Sequence, residues 1–68
     1  MSAVIRVNGK EEPLSVVTVA ELLAGRGIKR PKGVAVALNG AVVPASTWEQ
    51  ARLNAGDRVE IVKPFGGG

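Results

Sequence analysis

The stretch Ala3-Val4-Ile5-Arg6-Val7-Asn8-Gly9-Lys10-Glu11-Glu12-Pro13-Leu14, followed by Thr18-Val19-Ala20-Glu21-Leu22-Leu23, decides the fold. Val4 to Val7 is rich in β-branched residues, and Asn8-Gly9 tolerates the positive φ that a two-residue hairpin turn demands. The returning strand, Lys10 to Leu14, contains Pro13, which cannot donate a ladder hydrogen bond and so predicts an edge position. Period-two alternation puts Ile5 and Val7 on the core side and Arg6 outside. Thr18 and Glu21 read as a capping box, with the hydroxyl accepting from a first-turn amide and the carboxylate reaching back to the Thr18 N–H. Val19, Leu22 and Leu23 then form one apolar stripe at helical spacing. Gly25 and Gly27 are candidate C-caps, and Pro31 makes continuation of the helix unfavourable. Two turns of helix do not stand alone, so this one must pack on the sheet.

The same grammar repeats downstream. Val34, Val36 and Leu38 alternate with Ala35 and Ala37, and Asn39-Gly40 leads into a brief strand that Pro44 ends. Ser46-Thr47-Trp48-Glu49 reads as a second capping box opening a single helical or 3₁₀ turn, with Trp48 and Leu53 folding back on the core. Gly56-Asp57 is a turn. Arg58 to Lys63 is the last strand, with Val59 and Ile61 inward and Arg58 and Glu60 outward. One sheet can bury one face on one crossing helix, which is an α+β roll with the β-grasp layout. The expected organisation is a domain over residues 1–65 and a glycine tail over 66–68.

Composition narrows the function. The 68 residues include no cysteine and no histidine, which removes disulfides, thiol nucleophiles and the side chain that most often serves as general base or metal ligand near neutral pH. A domain of this size buries only about 60% of the surface its unfolded chain exposes. With 46% apolar and 22% charged residues, the chain reads as a small folded globule rather than an enzyme or a metalloprotein. Its longest uninterrupted apolar run, Gly33 to Leu38, is far short of the roughly 20 residues of a membrane span. The N-terminus lacks the pattern of a secretory signal, and the expected location is the cytoplasm.

The end of the sequence, Phe65-Gly66-Gly67-Gly68, carries the most information about chemistry. Glycines have no side chains to pack, and their flexibility opposes folding. A backbone without Cβ atoms can enter a narrow enzyme channel, and four extended residues reach at most roughly 14 Å. Such a tail can present the α-carboxylate of Gly68 to a buried active site. A frayed terminus is the plainer alternative.

Taken together, the hairpin, the Thr18–Leu23 segment, the run Val34 to Gly40, Val43-Pro44 through Trp48, and Asp57–Ile61 with Pro64-Phe65-Gly66-Gly67-Gly68 resemble the ThiS family over essentially the whole chain. Gly66 stands where that family more often has alanine. The resemblance implies a ubiquitin-like β-grasp, a mixed sheet of four to five strands, and a sulfur carrier in the biosynthesis of the thiamine thiazole. It implies that Gly68 is adenylated and thiocarboxylated, and that Gly67 and Gly66 allow channel entry. Implied partners are a ThiF-like adenylating enzyme, a ThiG-like thiazole synthase and a persulfide sulfur donor. The resemblance further implies that the carrier itself binds no cofactor and that ATP is used by the activating partner. A MoaD-like carrier for molybdopterin or another metabolite shares these features. A non-covalent basic β-grasp module for RNA or protein is the alternative of another class.

Two surfaces are candidates for recognition. Phe65, Val62, Ala35 and Ala37 form a small apolar set near the tail, suited to docking a partner. Arg26, Lys29, Arg30 and Lys32 cluster between helix and central strand and dominate the +3 balance. They fit either a solvated loop or electrostatic steering toward an acidic partner. No aromatic residue lies among them to stack bases. The adjacent Glu11-Glu12 pair is assigned to solvent, because neighbouring strand residues point apart.

Overall fold

A computed structural model describes residues 3–28 and 32–63. The hairpin forms as the sequence predicts: β1 (Val4–Val7) pairs antiparallel with β2 (Lys10–Pro13), Val4 opposite Pro13 and Val7 opposite Lys10. Asn8 and Gly9 both have positive φ, 53° and 84°. After α1 (Val19–Gly25) come β3 (Ala35–Leu38), β4 (Ala41–Val42), the 3₁₀ turn Ala45–Thr47 and β5 (Arg58–Val62). The sheet order is β2-β1-β5-β3-β4. The last strand thus lies at the centre, parallel to β1 and antiparallel to β3. This is the α+β, ubiquitin-like β-grasp roll, a mixed sheet of five strands.

Ile5, Val7, Val36, Val59 and Ile61 from the sheet meet Val19, Leu22 and Leu23 from the helix, and Trp48 and Leu53 close the side. Trp48 donates its indole N–H to the Val43 carbonyl at 2.8 Å, so the ring is buried without an unsatisfied donor.

Both ends of α1 are chemically closed. At the N-terminus the first three amides find partners outside the helix: Val19 N–H donates to the Ala51 carbonyl, Ala20 N–H to that of Trp48, and Glu21 N–H to the Thr18 hydroxyl. These are the donors a helix start leaves unpaired. The Glu21 carboxylate accepts from the Val17 N–H at 2.7 Å rather than from Thr18. The segment ahead of the helix is laid against residues 51–53, with Leu53 N–H donating to the Val17 carbonyl and Val19 N–H to that of Ala51. At the C-terminus Ile28 N–H donates to the Leu23 carbonyl and Gly27 N–H to that of Ala24, with Gly27 at φ 80°. This double bond pattern is the Schellman motif, so Gly27 is the left-handed cap and Gly25 belongs to the helix.

The second expected capping box does not form. Pro44 precedes the 3₁₀ turn with no side-chain cap, and Ser46 lies inside the turn. Thr47 instead donates its hydroxyl back to the Pro44 carbonyl. The Trp48 amide that a Ser46 cap would meet donates to the Ala45 carbonyl.

Candidate functional site

The functional reading centres on where β5 ends. The registers Ala35 opposite Val62 and Ala37 opposite Val42 put these four side chains on the outer face of the sheet, away from the core. Val62 is 63% exposed and Val42 77%, and with Ala35 and Ala37 beside them they form one apolar patch. Val42 was not among the expected docking residues. A two-residue strand shows no alternation from which to read its face, and only its pairing with Ala37 places it. Toward the other end of the same face the outward residues are charged: Arg6 opposite Glu11, then Arg58 and Glu60.

The expected basic cluster is only partly described. Arg26 donates to the Glu12 carboxylate across from β2, so its charge is matched and Glu12 is not simply solvated. The structure corrects the sequence reading here: β2 lies beside the C-terminal end of α1, and the two side chains meet. Lys32 is exposed. Lys29, Arg30, Phe65, Gly66, Gly67 and Gly68 lie outside the described residues, as does the proposed boundary at 65–66.

The polar groups at the helix do not converge on a reaction centre. A shallow groove of ≈ 890 Å³ runs between α1 and the segment around Trp48, but Thr18 and Glu21 on its wall are committed to capping. Among the described residues no three His, Cys, Asp or Glu side chains stand close enough to hold a metal ion. No helix among them is long and apolar enough to cross a membrane.

Two asparagines have roles that the sequence reading assigned only to turns. Asn8 accepts from the Ile61 N–H at 2.7 Å and donates to the Ile61 carbonyl at 3.3 Å. Asn39 accepts from the Arg58 N–H at 2.9 Å and donates to the Asp57 carboxylate at 3.1 Å. Each turn therefore holds one end of β5 through a carboxamide. The available signal was the choice of Asn at a position where Gly also suits the φ.

Comparison with known proteins places this geometry. The profile of the ThiS family matches residues 3–68. A thiazole synthase from Paramagnetospirillum magneticum is 43% identical over 63 residues, covering 91% of this chain and 19% of that protein. The chain thus spans about a fifth of the length of that curated relative. The crystal structure of the thiamine biosynthesis protein (ThiS) from Geobacter metallireducens superimposes with a TM-score of 0.77 at 31% identity, over 96% of this chain and 99% of that one. A solution structure of a thiamine biosynthesis protein from the same organism gives 0.75 at 31% identity, over 100% and 88% of the two chains. Fold and family profile agree along nearly the full length, and the chain belongs to the ThiS family.

Proposed function

We propose that this chain carries sulfur as a thiocarboxylate on Gly68 for assembly of the thiamine thiazole, with residues 1–65 as the recognised body and 66–68 as the reacting tail. The observation that carries the reading is the family match, which runs through the terminal glycines. An α-carboxyl has a pKa of about 3.3–3.7, so near neutral pH it is an anion and a poor electrophile. Activation solves this. The carboxylate attacks the α-phosphorus of ATP on a ThiF-like adenylating enzyme, pyrophosphate leaves, and an acyl-adenylate forms. The terminal sulfur of a persulfide then attacks the acyl carbon and AMP departs. A thiol opens the resulting acyl disulfide, leaving the thiocarboxylate on the carrier and a disulfide on the donor. The chain is the substrate of these steps, and its partners supply the catalysis.

The match to a segment of a thiazole synthase supports a ThiG-like acceptor, because a sequence like this one occurs there in the same polypeptide. Val62, Ala35, Ala37 and Val42 are the proposed seat for the adenylating enzyme, since their face is continuous with the end of β5 from which the tail begins. Phe65, which follows β5 closely in sequence, is proposed as a further docking residue. Lys29, Arg30 and Lys32 would steer the approach toward an acidic surface, Arg26 contributing less because Glu12 already neutralises it.

The test is the intact mass of the full chain after incubation with ATP, a ThiF-like enzyme and a persulfide donor. Exchange of one oxygen for sulfur at the last residue is the expected result. Labelling at an internal residue, or none under conditions that activate an authentic carrier, overturns the proposal.

A further inference from the structure

The main-chain ladder between β1 and β5 is short. It pairs Arg6 with Arg58 and Val7 with Val59, and Asn8 N–H donates to the Val59 carbonyl at 2.9 Å. There β1 turns away through Asn8 and Gly9, while β5 runs on to Val62. The N–H and carbonyl of Ile61 face the side that β1 has vacated, and both are met by the Asn8 carboxamide. That side chain has the donor and acceptor of a peptide group and takes the place of the missing rung. The Ile61 side chain is held in the core and β3 flanks β5 on the other edge, so the Asn8 carboxamide closes the one main-chain edge left open, beside a cleft of ≈ 200 Å³ lined by Asn8, Lys10, Arg26, Ile28, Ile61 and Lys63.

We propose that Asn8 is a positioning residue for modification of Gly68: its carboxamide anchors Ile61 and so fixes the point from which the tail sets out. This rests on the carrier reading. From Lys63 the remaining five residues reach at most roughly 17 Å. If the body docks through the sheet face, any slip at Ile61 is subtracted from that reach or added to the wander of the acyl carbon. Adenylation depends on alignment, so such slack lowers the rate of the chemical step more than it weakens docking.

Asn8→Gly isolates the clamp, because glycine adopts the same positive φ while removing the amide. Asn39→Gly is the matched control at the opposite end of β5. Full-length variants are compared by amide hydrogen exchange and by ATP–pyrophosphate exchange on the adenylating enzyme. Asn8→Gly is expected to speed exchange at the Ile61 amide about tenfold and to lower kcat about tenfold with KM within about twofold. Asn39→Gly is expected to leave kcat near that of the parent chain. Unchanged kcat in Asn8→Gly, or an equal fall in both variants, overturns the proposal. A parent chain that is not adenylated overturns the carrier reading and the positioning role together, so the two failures are distinguishable.

Discussion

The indole of Trp48 reaches back to the carbonyl of Val43, tying the 3₁₀ segment to the chain just beyond β4. The same residue supplies its own carbonyl to the Ala20 amide at the start of α1. Trp48 is therefore a junction between the helix and the β3–β4 hairpin, which explains why it is buried rather than displayed for recognition. Trp48→Phe keeps most of the apolar volume and removes the donor. The expected cost is about 1–2 kcal/mol, read as a fall in Tm of roughly 5–15 °C for a domain this small. A Tm within about 2 °C of the parent would show that the Val43 carbonyl finds another partner.

The two glycines near the end of α1 have opposite expectations. Gly25 lies in the helix with open space where a Cβ would stand. Gly25→Ala should stabilise by about 0.5–1 kcal/mol through the backbone entropy it removes. Gly27 has equal room but φ +80. Gly27→Ala should destabilise by about 1–2 kcal/mol. Urea denaturation of the pair separates the signs, and the same sign for both would refute the Schellman assignment.

The exposed outer face tests docking apart from folding. Val42→Asn and Val62→Asn should each change stability by about 0.5 kcal/mol or less and raise KM for adenylation about fivefold or more. Val17, also exposed at 51% but placed ahead of α1, is the control. Val17→Asn should leave KM unchanged. An effect at Val17 equal to that at Val42 would place the contact elsewhere.

Much of the fold is written in short-range patterns. Both Asn-Gly turns, the Thr18 cap, the stripe Val19-Leu22-Leu23 and the alternation at Val59 and Ile61 are legible because φ preferences and side-chain periodicity act within a few residues. Glu21 meets the Val17 N–H and not that of Thr18, in a segment whose path is fixed by hydrogen bonds to Ala51 and Leu53, far away in sequence. The Glu12–Arg26 pair and the outward face of Val42 were hidden for the same reason.

The sequence by itself determined the element types and the inward residues of each longer strand, and its family likeness supports the chemistry proposed for Gly68. Only the tertiary structure decided that β5 lies between β1 and β3, that the outer apolar face includes Val42, and that Asn8 grips Ile61 across 53 residues. The physical reason is that a carboxamide's partner depends on which strand the fold brings alongside it. That neighbour is set by burying one sheet face on one helix, a constraint of the whole chain that no local window contains.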